Sequence, residues 1–218
     1  MLFTKNKHKP NKFLNYTELI EAFKLEGCPI CRRIESSVRK YIESTLYENI
    51  TDQPTVKNIR NAYGFCQAHS QMLIIIGDAL GSAIIYKGVL LELLNDLYHE
   101  NMDNFIRKKK CPVCVAAEQE IQNEVNLFYH FYEEDEFSFE FHKSNGLCIQ
   151  HFLVVLNKFD NEILKGKLIK FHIEKIKSLI GNLDELIRKH DYRFSGEKIF
   201  PEESKSWLNA IKFMNGLY

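Results

Sequence analysis

From residue 30 to residue 50 the chain reads ICRRIESSVRKYIESTLYENI, with apolar side chains at 34, 38, 41, 42 and 46. Steps of three and four residues put these positions on one face of a helix. Pro29 precedes the run, where a fixed φ and a missing N–H suit a first helical turn. The next stretch, QPTVKNIRNAYG, opens near a proline and closes on a glycine, which predicts a short helix with both ends marked. A further helix is expected from Cys66, broken or bent near Gly77-Asp78 and running on to about Lys108. The second half follows the same plan and ends in a long helix over roughly 160–189. Only EFSFEFHK (136–143) alternates in the manner of a strand, through Phe137, Phe139 and Phe141. Its counterpart in the first half is the short helix, so a helix is expected there too.

The parallel between the halves extends to individual residues. Asp78 in IIGDAL matches Asp160 in NKFDNEI at an offset of 82, and MDNFIRKKK matches NLDELIRKHD at 81, aligning Asp103 with Asp184 and Arg107 with Arg188. Such self-similarity indicates one ancestral unit used twice. The expected organisation is a leader with a first helix (1–26), a first helical repeat (27–109), a second (110–190), and a C-terminal arm with an amphipathic helix (191–218). The fold class is all-α, a duplicated three-helix unit.

One segment, MLIIIGDALGSAIIYKGVLLELL (72–94), is apolar enough to raise the question of a membrane span. Asp78, Lys87 and Glu92 interrupt it, each costly at mid-bilayer, so a buried core helix is expected, with Gly77, Gly81 and Gly88 allowing close approach of another helix. Composition supports a folded globular protein, with 45% hydrophobic and 12% aromatic residues. The 29 basic and 29 acidic residues cancel, which argues against a nucleic-acid-binding protein; the cluster RKKK at 107–110 reads as a solvated helix end. The polar, lysine-rich start MLFTKNKHKPNKF lacks the apolar core of a signal peptide, so the cytoplasm is the expected compartment. Thiols stay reduced there, which favours metal ligation or redox chemistry over structural disulfides.

All six cysteines belong to a repeated pattern. CPIC at 28–31 recurs as CPVC at 111–114, and GFCQAH (64–69) recurs as GLCIQH (146–151). Taken along the chain this gives two four-residue sets, Cys28, Cys31, Cys66 and His69, then Cys111, Cys114, Cys148 and His151, with no cysteine left over. Two residues between cysteines let both sulfurs turn toward one ion, and a proline after the first stiffens the knuckle. Cys-x-x-His on a helix puts sulfur and imidazole on one face. All four elements stand near helix N-termini, whose dipole favours the thiolate that a metal requires.

Three thiolates and one imidazole form the closed tetrahedral set of structural zinc, so two zinc ions are expected per chain, each stapling the start of one helix to another within a repeat. The same ligands suit an iron–sulfur cluster in an electron-transfer or sensor protein, and spacing does not separate the two. A thiol oxidoreductase is a second alternative, although thioredoxin-type Cys-Pro-x-Cys centres follow a strand in a βαβ setting that this chain lacks. No Glu-x-x-His pair, Gly-rich phosphate loop or Gly-x-Ser-x-Gly elbow occurs, and no catalytic residue is assigned. His99, His130, His142, His172 and His190 have no counterpart across the repeat and read as surface or core.

Two stretches remain. LFYHFYEEDEFSFEFH (127–142) reads as an aromatic core lid with an acidic rim, with a partner groove as the alternative. The tail HDYRFSGEKIFPEESKSWLNAIKFMNG (190–216) reads as an extended arm followed by a helix from about Pro201, with Trp207, Ile211 and Met214 forming a stripe that docks into an apolar groove of this chain or a twin. Arg193 and Glu197 are then expected on the surface near that groove. The order CPxC, GFCxxH, CPxC, CxxH and a closing KHDYRF…W resembles a family of archaeal and bacterial proteins of similar length and unknown function with duplicated CPxC…CxxH patterns. That resemblance implies no activity. The function expected is a zinc-stabilised helical binding or regulatory protein, with an unidentified protein partner or self-association and no membrane.

Overall fold

The computed structural model describes residues 15–106, 108–194 and 196–216. Among them are twelve α-helices and one 3-10 turn, with no strand. The chain divides into two compact units, residues 1–33 with 122–218 and residues 34–121. The cuts fall inside helices α2 (Pro29–Tyr47) and α7 (Pro112–Phe131), so each of these begins in one unit and ends in the other. The leader lies mostly outside the described residues, as does Arg107 of the basic cluster.

The unit of 34–121 holds the body of α2, then α3 (Gln53–Asn61), α4 (Gln67–Ile76), α5 (Ala79–Tyr98), α6 (Met102–Ile106) and the first turns of α7. The α2 stripe forms as the periodicity predicts, with Ile34, Val38, Ile42 and Leu46 buried, as are Ile59, Leu73, Ile85 and Val89 of the same unit. Asp52 caps α3, accepting from the Thr55 N–H at 3.0 Å. Gly77 ends α4 in the left-handed conformation and Asp78 caps α5 through the Gly81 N–H, which is the physical cause of the break expected there. The helix does not continue to Lys108. It stops at Tyr98, Glu100 takes a positive φ of 55°, and buried Asp96 accepts hydrogen bonds from Tyr63 Oη and Asn104 Nδ2.

α5 also departs from expectation in its surroundings. Only one face is buried, through Gly81, Ile85, Gly88, Val89 and Asp96. Gly81 lies against the Leu46 carbonyl and Gly88 against the Arg60 guanidinium, the close approaches its glycines allow. The other face is apolar and exposed, so this is not a fully buried core helix. No helix among the described residues is long and apolar enough to cross a membrane.

The other unit holds α1 (Asn15–Phe23), the start of α2, the end of α7, and α8 (Asp135–Lys143), α9 (Ile149–Lys158) and α10 (Glu162–Lys189). The tail follows as the 3-10 turn Tyr192–Phe194, α11 (Pro201–Ser204) and α12 (Ser206–Asn215). Its core is aromatic: Phe23, Phe128 and Phe137 meet edge to face with centroids 5.0–5.8 Å apart, and Phe141 packs on Phe128 at 5.2 Å. The EFSFEFHK segment is helical, so Phe137 and Phe141, four residues apart, are buried together while Phe139 faces solvent. Arg33 is buried and donates to Glu124 at 2.9 Å and to Glu18.

The tail docks, but by the face opposite to the one expected. Trp207, Ile211 and Met214 are 55, 42 and 58% exposed, whereas Ser206 is buried and Phe213 turns inward. The anchor is an ion pair rather than an aromatic. Lys189, the last residue of α10, donates to both Glu203 carboxylate oxygens at 2.7 Å and to the Lys198 carbonyl at 3.0 Å. Glu203 in turn accepts from the Phe200 N–H, so one buried carboxylate closes the arm and starts α11. Arg193 pairs with Asp191 and Glu197 with Arg188, both on the surface.

Candidate metal centres

Each Cys element stands where a helix begins. Cys66 and Cys148 are the N-cap residues of α4 and α9, and Pro29 and Pro112 open α2 and α7 immediately after Cys28 and Cys111. The Cys28 and Cys111 carbonyls accept the first intrahelical bonds, from Arg32 and Val115, at 3.1 Å. The glycine two residues ahead of each Cys-x-x-His has a geometric purpose. Gly64 and Gly146 hold φ of 92° and 80°, where a side chain is strained, and an added Cβ would press on Tyr86 or Phe171 at 3.2 Å.

The eight predicted residues do come together in two groups of four, but not in the sets read along the chain. Cys28 and Cys31 meet Cys148 and His151; Cys66 and His69 meet Cys111 and Cys114. Each CPxC of one repeat therefore faces the CxxH of the other. Each group lies wholly inside one compact unit, the first in the discontinuous unit and the second in 34–121. The expected pairing within repeats is thus corrected. α2 passes between the units after Arg33 and α7 after Ile121, so each CPxC shares a unit with the CxxH of the other repeat.

In the first group Cys31 Sγ lies 3.7 Å from Cys148 Sγ, and His151 Nδ1 lies 3.5, 3.3 and 3.2 Å from the sulfurs of Cys28, Cys31 and Cys148. In the second, Cys66 and Cys114 sulfurs are 3.6 Å apart, and His69 Nδ1 lies 3.1, 3.6 and 3.4 Å from Cys66, Cys111 and Cys114. All donor atoms of a group lie within 4.8 Å of one another. A tetrahedron of ligands about 2.3 Å from a central ion has edges of about 3.8 Å. The donors therefore fit the corners around one ion. They do not fit disulfides, whose sulfurs are bonded at about 2.05 Å, and all six cysteines are free.

Electrostatics favours ionisation of the corresponding cysteine in each group. Hydrogen bonds from Cys28 and Cys31 hold Cys148 well below the usual thiol range, while hydrogen bonds to Cys148 and Cys28, together with burial, push Cys31 well above it. Burial opposes ionisation of Cys66, yet the backbone N–H of His69 and the Cys114 thiol bring it below its ordinary value. Burial and the Cys66 contact raise Cys114 to about 12. Burial lowers His69; at His151 burial is outweighed by the Cys148 and Cys28 contacts, which raise it to about 9. The favoured thiolates are thus the two N-cap cysteines, in line with the field at a helix start.

The surroundings separate the two groups. Cys28, Cys31, Cys148 and His151 are all buried, while Cys66, His69 and Cys114 are partly open to solvent. Around the buried group, the Gly27 N–H donates to Asn145 Oδ1 at 3.1 Å, tying the Cys28 knuckle to the loop before Cys148. His172 is a positioning residue there: its Nδ1–H donates to the Leu168 carbonyl at 2.9 Å, and its Nε2 accepts the Leu147 N–H at 3.0 Å. The end of α12 closes over the sulfurs. Gly216 has φ of 64°, its carbonyl lies 3.3 Å from Cys31 Sγ, and a Cβ there would lie 3.3 Å from Cys148 Sγ. Sequence reasoning read His172 only as a surface or core residue and assigned Gly216 no role. A left-handed C-cap glycine is a readable signal, but its neighbour across the fold is not.

Fold and donor sets together define an all-helical protein carrying two Cys₃His quartets, each able to hold a metal ion. The chain belongs to a family described as "Family of unknown function (DUF6062)", whose model matches it over residues 12–109 and again over 99–218. It is similar to an uncharacterized 23.9 kDa protein in the xynA 3' region of Caldicellulosiruptor sp. (strain Rt8B.4), 28% identical over 206 residues, 91% of this chain and 99% of that protein. No solved structure matches the chain.

Proposed function

We propose that the chain is a zinc-stabilised helical binding or regulatory protein holding two zinc ions. One ion is bound by Cys28, Cys31, Cys148 and His151, the other by Cys66, His69, Cys111 and Cys114. The observation that carries this reading is the size and closure of each quartet. Three sulfurs and one nitrogen at tetrahedral spacing satisfy a borderline-soft ion completely and leave no open position for substrate. Each site receives two helix N-termini, from α2 and α9 or from α4 and α7, which offset the net negative charge of three thiolates on one divalent ion. The compact spacing favours one ion over an iron–sulfur cluster, in which the four ligands are divided among two or four irons and do not all close around one. Six reduced thiols fit a reducing, cytoplasmic setting.

The test is elemental analysis of protein purified without added metal, followed by X-ray absorption. Two zinc ions per chain, each in a shell of three sulfurs and one nitrogen, are expected. A brown, iron-containing protein, a four-sulfur shell or a single ion per chain would overturn the assignment.

A further inference from the structure

The exposed face of α5 has the period of a coiled-coil seam. Leu80, Ile84, Lys87, Leu91, Leu94 and Tyr98 follow one another in steps of four and three, the a/d repeat that keeps one stripe facing a partner helix. Leu90 and Leu97 flank it. Leu80, Leu91 and Tyr98 are 72, 55 and 78% exposed, while the opposite face of the same helix is packed within its unit. A helix apolar on both faces is a buried helix that lacks a cover. The seven apolar residues of this face expose on the order of 750 Å², more than the largest patch on a typical monomer and close to the roughly 800 Å² that each partner gives to a standard interface.

The sequence repeat shows what the cover is like. An offset of 82 aligns Lys87, Leu91, Leu94 and Tyr98 with Ile169, Ile173, Ile176 and Ile180 of α10, so the seam exists in both copies. On α10 it is partly roofed by the tail: α12 packs on α10, and Phe213 shares a cavity of about 200 Å³ with Ile176 and Leu179. The first repeat has no such tail, because after α6 the chain enters the CPVC knuckle and α7.

We propose that the missing cover of α5 is α5 of a second copy of this chain, in an isologous antiparallel pair. Self-pairing needs one patch that complements itself, and this seam is continuous, apolar and of dimer size. Lys87, its one charge, sets the direction. In a parallel pair in register, Lys87 meets its own copy at a core position. In an antiparallel pair centred near Val89, it lies opposite Leu91 of the other copy, and the two ammonium groups reach solvent apart.

Sedimentation equilibrium and light scattering on the full, metal-loaded chain test this. A dimer is expected, and the double substitution Leu91→Glu with Leu94→Glu should raise its dissociation constant by about a hundredfold or more at unchanged helical circular dichroism. Lys87→Leu, which leaves the fold untouched, should tighten the dimer by about tenfold or more by removing the one buried-charge cost from each seam. A wild-type monomer across the concentration series would overturn the proposal, whether residues 80–98 then exchange amide hydrogens freely or are protected from within the chain. A dimer broken by Ile173→Glu and Ile180→Glu but not by the α5 variants would overturn it too. None of these outcomes depends on which metal fills the quartets.

Discussion

Gly216→Ala is the substitution by which the tail's relation to the buried quartet can be measured. Gly216 caps α12 at φ 64°, and an alanine forced into the left-handed region costs about 1–2 kcal/mol. The new methyl would meet Cys148 Sγ at 3.3 Å and Cys31 Sγ at 3.5 Å, with Gln150 Oε1 at 3.6 Å. Sulfurs held around an ion have little room to give, so crowding adds about 1 kcal/mol. The two parts register in different assays. The sum, about 2–3 kcal/mol, lowers the melting temperature of the metal-loaded protein by roughly 4–12 °C for a chain of this size. Only the crowding part bears on the ion, and it weakens chelator-measured affinity at the Cys28–Cys31–Cys148–His151 quartet about fivefold while the other quartet keeps its value. Gly181→Ala is the control: it lies within α10, a Cβ there meets nothing within 4 Å, and it should stabilise the helix by up to about 1 kcal/mol. A Gly216→Ala protein with unchanged melting and unchanged metal affinity would refute the placement of the tail over the sulfurs.

Three further outcomes follow from burial and partners. Because Cys66, His69 and Cys114 are partly open while the other quartet is buried, a competing chelator should withdraw metal in two phases, and Cys66→Ser should abolish the fast one; a single phase would contradict this. Glu124→Ala leaves the buried Arg33 guanidinium without its 2.9 Å partner and should cost about 3 kcal/mol in denaturant unfolding, whereas exchanging Arg33 and Glu124 together for Met and Leu should cost much less. His172→Ala removes the acceptor of the buried Leu147 N–H one residue before Cys148 and should cost about 1–3 kcal/mol, with metal released first from the buried quartet; equal loosening of both quartets would place His172 in a general core role.

Helix boundaries were the most legible part of the fold. Pro29, Pro54 and Gly64 at the ends of the QPTVKNIRNAYG run, and Gly77-Asp78 act locally, through φ restriction and capping, and the structure places ends near where they stand, while the Asp52 cap of α3 was not read in advance. Which face a helix buries was less legible whenever both faces are apolar. On α5 the periodicity is satisfied by either face, and only Gly81 and Gly88 mark the packed one. On α12 the large side chains Trp207, Ile211 and Met214 suggest an inward stripe, yet small Ser206 and Gly216 let the helix come close, and the buried Lys189–Glu203 pair fixes the arm ahead of it. Size is a poor guide to the buried face where the neighbour is a cluster of sulfurs with no room beside it.

The exchange of partners between the two cysteine sets has a different cause. Chain proximity is weak evidence for ligand pairing, because closure entropy grows only as the logarithm of loop length. Joining Cys31 to Cys148 rather than Cys66 lengthens the loop from 35 to 117 residues, yet costs only about 1 kcal/mol more. A single side chain or helix cap can outweigh that, so identical knuckles in a duplicated chain are free to trade partners. The trade also changes what an ion would hold. The unit that contains the first quartet is discontinuous, assembled from residues 1–33 and 122–218. With ligands paired along the chain, neither ion would join those two segments. With Cys28 and Cys31 facing Cys148 and His151, an ion binds one segment to the other beside the Gly27–Asn145 and Arg33–Glu124 bonds. Removing metal should therefore loosen the association of α1 and the start of α2 with α8 and α9 before it unwinds any helix, because every helix keeps its own backbone hydrogen bonds.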